Sequence, residues 1–136
     1  MKHVAAMTVL AVDDEEMVLD FVAQTLAPLG YRVLLASSGD EAVQIIKENK
    51  KIDLLLTDVV MPGLMGDKLA EQFLATYPDR KVLFMSAYMC PAMGHQGKPG
   101  SESAFVMKPF LPNELIGKMK RVLAKPGRRK IGNGDG

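Results

Sequence analysis

Cysteine is nearly missing from this sequence: Cys90 stands alone among 136 residues. A lone thiol builds neither an internal disulfide framework nor a cysteine-rich metal site, and beside Pro91 it reads as structurally neutral. Long hydrophobic runs are missing too. No stretch approaches the roughly 18 uninterrupted apolar residues of a membrane span. The opening MKHVAAMTVLAVDDEE places acids where a secretory signal would place its cleavage site. These absences predict a cytoplasmic chain without a membrane segment. At 136 residues and 48% hydrophobic content it suits one domain and is too short for two.

A net charge of +1 hides an uneven distribution. From Lys118 onward seven basic residues face one acid, a net +6 that leaves residues 1 to 117 at −5. A basic tail can attract nucleic acid, but KPGRRKIGNGDG carries no aromatic to stack on a base. Residues 125–136 read as a flexible, Gly-rich tail, and direct nucleic-acid binding is not expected.

What is present is rhythm. Apolar runs at 7–12, 31–36, 52–57, 81–86 and 104–107 alternate with segments of helical period. The first helix runs from Asp14 to about Ala27 with Met17, Val18, Phe21, Val22 and Leu26 on one face, ending at Pro28 and Gly30. Ser37 or Ser38 can cap the second, with Glu41 placed as in a capping box and Ala42, Val43, Ile45 and Ile46 on its apolar face. The third, Gly66 to Thr76, turns Leu69, Phe73 and Leu74 inward, and the last runs from Pro112 to about Ala124 over Leu115, Met119, Val122 and Leu123. Near-continuous Val, Leu and Ile in the strands implies a parallel sheet covered on both faces, a doubly wound α/β sandwich. Residues 89–100 should supply a helix between strands four and five. Two prolines and three glycines there predict a short, irregular or mobile element instead. His95 and Lys98 lack ligand-spaced neighbours, and GHQGKPG lacks the spacing of a phosphate loop.

Polar residues collect at one end of the inferred sheet. Asp13 and Asp14 follow strand one, Asp58 ends strand three, Ser86 ends strand four, and Lys108 follows strand five. Ligands of open α/β sheets bind beyond the carboxyl ends of the strands. Three converging carboxylates repel one another unless a cation joins them, and an all-oxygen set suits Mg2+. Lys108 and Ser86 add a point charge and a hydroxyl donor for phosphate oxygens, so the set reads as a cradle for a phosphoryl group, with a carboxylate available as nucleophile. Singly, each residue has a plainer reading as loop polarity or a helix cap. Together, at the ends of four strands, they do not.

The motifs VLAVDDEE, DLLLTDVVMPG, VLFMSAY and FVMKPF make the chain, from about residue 7 to 124, resemble the receiver domains of two-component response regulators. The resemblance implies a flavodoxin-like (βα)5 fold with strand order 2-1-3-4-5, a receiver over residues 1–124, and a switch rather than an enzyme. It further implies that Asp58 accepts a phosphoryl group from a sensor histidine kinase or a phosphotransfer domain. Asp14, Asp58 and the Val60 backbone carbonyl would hold Mg2+, Asp13 acting mainly through metal-bound water. Ser86 and Lys108 would bind the phosphoryl oxygens, the Lys108–Pro109 bond would be cis, and Phe105 would be the switch aromatic, reshaping the fourth-helix, strand-five and fifth-helix surface. A homodimer is compatible with this pattern. The set most resembles receivers at the carboxyl ends of hybrid sensor histidine kinases, with a stand-alone regulator as the other architecture.

Some residues depart from the family pattern. Met65 stands where a capping Asp or Ser is common, so the third helix should be weakly capped. Val60 and Tyr88 are apolar or aromatic where polar groups are frequent, which implies shielding of the acyl phosphate from water. The ten methionines read as adaptable packing. Two rival classes are weighed. A haloacid-dehalogenase-like phosphatase needs a second Asp two positions after the nucleophile, where this chain has Val60. A phosphorylation-independent interaction module would not need every catalytic position filled.

Overall fold

Two strands that cannot show either face to water set the architecture. β1 (Thr8–Val12) and β3 (Leu54–Asp58) are buried at every position, and the only arrangement that satisfies their backbones is the middle of a sheet covered on both sides. The computed structural model describes residues 7–48, 51–87 and 105–124. With β2 (Arg32–Ala36), β4 (Lys81–Ser86) and β5 (Phe105–Met107), these strands form one sheet in the order β2-β1-β3-β4-β5. Every pairing is parallel, which bears out the predicted fold.

Side-chain alternation divides the core in two. Val9, Ala11, Leu54 and Leu56 pack against α1 (Glu16–Leu26) and α4 (Pro112–Ala124) through Leu19, Val22, Leu26, Leu115 and Met119. Leu10, Val12 and Leu55 point the other way, onto α2 (Gly39–Glu48) and α3 (Gly66–Thr76) through Ala42, Ile46, Leu69 and Phe73. Each of these fully buried aliphatic or aromatic side chains contributes roughly 1.5–3 kcal/mol, so the two layers hold the strand ends in fixed register.

Several boundaries shift for local reasons. α1 begins at Glu16 rather than Asp14, because the Asp13 carboxylate accepts the Glu15 N–H at 2.9 Å and keeps the chain turning. It tightens into a 3-10 turn at Ala27–Leu29 and ends at Gly30, whose φ of 100° suits glycine. Met17, expected on the inner face, is 82% exposed, and Leu19 takes the inward position. β3 starts at Leu54 rather than Ile52, since Asp53 turns its carboxylate to the Thr8 N–H at 2.8 Å. α3 starts at Gly66, and Met65 before it makes no side-chain cap, as expected. The expected irregular segment 89–100, with Cys90, His95 and Lys98, lies outside the described residues, as do Tyr88 and the tail 125–136.

The capping box on α2 forms with one offset. Ser38 Oγ accepts the Glu41 N–H at 3.1 Å, while Glu41 reaches back to the N–H and hydroxyl of Ser37 at 2.8 and 3.0 Å. Ser38→Ala is expected to destabilise the domain by about 1 kcal/mol, read as a lower urea midpoint with an unchanged slope.

Candidate functional site

In this strand order the chain winds outward from β1 to β2 and then returns to β3, so the winding direction reverses between the two central strands. A crevice opens at the carboxyl edge of such a reversal. Asp13 leaves the end of β1, and its backbone N–H donates to the Ala36 carbonyl at 3.2 Å. Asp58 closes β3, and the Val59 N–H donates both to its Oδ1 at 2.9 Å and to the Met85 carbonyl at 3.2 Å. Lys108 follows β5, its N–H donating to the Ser86 carbonyl at 2.7 Å. The peptide between Lys108 and Pro109 is cis, as the resemblance implied.

These backbone ties bring the side chains together. Carboxylate oxygens of Asp13, Asp14 and Asp58 lie within 4.8 Å of one another. Lys108 Nζ stands 2.8 Å from Asp13 Oδ2, 3.4 Å from Asp58 Oδ2 and 3.7 Å from Glu15 Oε1. A cavity of about 220 Å³ opens over them, lined by Asp14, Glu15, Asp58, Val60, Ser86, Ala87 and Lys108. Asp13 lies beneath the cavity at 0% exposure and Asp58 is 8% exposed, whereas Asp14 faces solvent and Val60 sits on the rim at 52%.

Four carboxylates, Glu15 included, against one ammonium leave three negative charges uncancelled. Burial pushes the Asp13 carboxyl above its ordinary 3.8, although Lys108 and the Glu15 N–H pull it down. Burial and then the Asp13 charge push Asp58 up as well, against the pull of Lys108. On Lys108, burial works against the ammonium, but Asp13 and then Asp58 outweigh it and hold the amine above 10.5. The site therefore carries stored repulsion that a divalent cation would relieve. The all-oxygen donor set, partly buried and partly open, fits Mg2+.

Of the residues singled out in the sequence, Asp14, Asp58, Val60, Ser86 and Lys108 line one cavity with Asp13 beneath. Phe105 does not join them. It packs on Phe84, with ring centroids 5.3 Å apart, and lines a separate cavity of about 450 Å³ with Met107, Asn113 and Lys118. Glu15 went unnoticed in the sequence, although an acid directly after Asp13 and Asp14 was a signal that it would share their loop.

A sheet of this order, with an acid cluster and a lysine at its carboxyl edge, defines a phosphoacceptor class of α/β domain. The chain matches the response regulator receiver domain over residues 9–120 and belongs to that family. Receivers of two-component systems are phosphoacceptor switches that bind Mg2+ at an acidic cluster. The chain is 35% identical over 119 residues to the sensor kinase CckA of Brucella abortus, covering 87% of this chain and 13% of that protein. It is 30% identical over 114 residues to the response regulator receiver protein CpdR of the same organism, covering 84% of this chain and 93% of that protein. Among solved structures, Vibrio cholerae CheY4 superposes with a TM-score of 0.77 at 27% identity, covering 87% of this chain and 99% of CheY4. The receiver of the hybrid histidine kinase CckA gives 0.66 at 34% identity, covering 85% and 98%. The chain spans 13% and 52% of the lengths of CckA and of the Bacillus subtilis regulator YvrH.

The raised Asp58 carboxyl has a stability consequence. A group whose folded pKa is raised contributes stability below its unfolded value and loses it as pH rises through the folded value. Without divalent cation, Asp58→Asn is therefore expected to raise the melting temperature by about 3 °C at pH 8. The gap should close as pH falls towards 3.8, as read by circular dichroism melts. Lys108→Met should act the other way, leaving Asp13 buried without its cation at a cost of roughly 3 kcal/mol.

Proposed function

We propose that Asp58 accepts a phosphoryl group from a phosphohistidine on a sensor histidine kinase or phosphotransfer domain, and that the chain is a signalling switch rather than a turnover enzyme. The observation that carries this reading is the buried Asp58 at the mouth of a 220 Å³ cavity, 3.4 Å from Lys108 Nζ and clustered with Asp13 and Asp14. Asp14, Asp58 and the Val60 carbonyl would hold Mg2+, with Asp13 acting through bound water. The ion would supply Lewis-acid charge for the phosphoryl oxygens.

The chain's own residues do the rest. An Asp58 oxygen attacks phosphorus, the phosphorus–nitrogen bond of the donor breaks, and the imidazole nitrogen keeps the electron pair. The Val59 N–H holds one carboxylate oxygen in place, so the nucleophile is oriented before the donor arrives. Phosphorylation removes the carboxylate charge from Asp58 and brings a more highly charged phosphoryl group into the cavity. Lys108 Nζ, already 3.4 Å from Asp58, turns to a phosphoryl oxygen, and the Ser86 hydroxyl donates to another. The same groups assist hydrolysis of the acyl phosphate, which Val60 shields at the rim.

Switching follows from the ladder between β4 and β5. Ser86 pairs with Met107 and Phe84 with Phe105, so a movement of Ser86 towards the phosphoryl group disturbs the packing under Phe105. With no hydroxyl to anchor either rotamer, Phe105 gives a soft two-state preference. The surface of β5 and α4 then changes. In this reading residues 1–124 are the receiver and 125–136 a tail, in the cytoplasm, and either a hybrid kinase or a free regulator is the parent architecture. The 35% identity to CckA supports the former and the 30% identity to CpdR the latter.

Incubation with Mg2+ and a small phosphodonor should add the mass of one phosphoryl group in intact mass spectrometry. Asp58→Asn and chelation of the metal should each abolish the gain, and Lys108→Ala should slow it roughly a hundredfold. A gain of mass in Asp58→Asn equal to that of the wild type would refute the assignment.

A further inference from the structure

We infer that Gly66 is a positioning residue for phosphoryl transfer, with Gly39 as its counterpart: the first residues of α3 and α2 press on the two ends of loop 59–65 and set where the Asp58 carboxylate and the Val60 carbonyl stand. The inference deepens the proposed function and rests on it.

Gly66 opens α3, and its N–H donates to the Val59 carbonyl at 2.8 Å. A side-chain carbon there would overlap the Asp58 carbonyl oxygen and lie 3.0 Å from the Asp58 carbonyl carbon and from Val59 Cα. Those obstacles are backbone and cannot rotate away. Among the described residues only Gly30 and Gly63 have positive φ, so what requires glycine at 66 is the close approach and not the dihedral. The same short piece of backbone orients the phosphoacceptor, since the Val59 N–H bonds both Asp58 Oδ1 and the Met85 carbonyl. Any shift there moves the carboxylate relative to Asp13 and Lys108, which stand on other strands.

At the far end of the loop, a side-chain carbon on Gly39 would fall 2.7 Å from both the Leu64 Cβ and the Leu64 carbonyl oxygen. Val60 lies between the two pinch points. Neither glycine contributes an atom to the cavity; both act through the backbone they touch.

The test uses the full chain with Gly66→Ala, Gly39→Ala and Gly117→Ala, the last being a helical position where an added carbon meets nothing within 4 Å. Calorimetry with MgCl2 should show Gly66→Ala binding roughly tenfold more weakly than wild type, and phosphorylation by a small donor should stay slower at saturating Mg2+. Without metal, the NMR amide resonances of Asp58 and Val59 should move in Gly66→Ala. Gly117→Ala should match the wild type in all three. A folded Gly66→Ala with wild-type Mg2+ affinity, rate and resonances overturns the inference, even if it melts lower. Should Gly66→Ala fail to fold, Gly39→Ala decides: a loss of about threefold in Mg2+ affinity supports the inference and an unchanged affinity overturns it. A wild-type chain that takes up neither Mg2+ nor a phosphoryl group overturns the reading of Asp58 itself.

Discussion

The contact on which the rest depends is the ion pair of Lys108 with Asp13, 2.8 Å long and sunk beneath the cavity floor. Desolvating a carboxylate costs several kcal/mol, and an ammonium at this distance offsets much of it. One lysine cannot serve three acids. Asp58, at 3.4 Å, shares the same ammonium, and Asp14 completes a cluster with excess negative charge. An all-oxygen cluster so arranged suits a divalent cation.

The sheet makes that arrangement affordable. β1 and β3 are buried throughout, so their ends move only with the whole core, and charges placed there keep their separation. β4 and β5 close the site from the other side through the Lys108 N–H and the Ser86 carbonyl. The lysine and the serine are tied by backbone, and Phe105 sits on β5 against Phe84 of β4. The chemistry and the aromatic pair therefore occupy different cavities but share a ladder.

Much of this was legible in the residues. Five apolar runs separated by helical periods specify a parallel sheet because both faces of every central strand must be covered. Acids and a lysine after those runs then fall at one edge by topology alone. The misreadings have local causes. Met17 lies outside at 82% exposure while Leu19 turns in, because at 3.6 residues per turn the face of Val22 and Leu26 takes in Leu19 and leaves Met17 opposite. Glu15 follows Asp13 and Asp14 directly and shares their loop, but its approach to Lys108 Nζ at 3.7 Å depends on where β5 ends.

Periodicity and side-chain chemistry are enough to specify the class of fold, the strand ends that bear the polar residues and the kind of ion their oxygens suit. Tertiary structure alone decided that Lys108 holds Asp13 more closely than Asp58, that Phe105 stands apart from the acid cluster, and that the Gly66 backbone rests against that of Asp58. Those outcomes depend on distances of a few ångströms between elements far apart in the chain. Residue types do not encode such distances; the packing of two helix layers on one twisted sheet does.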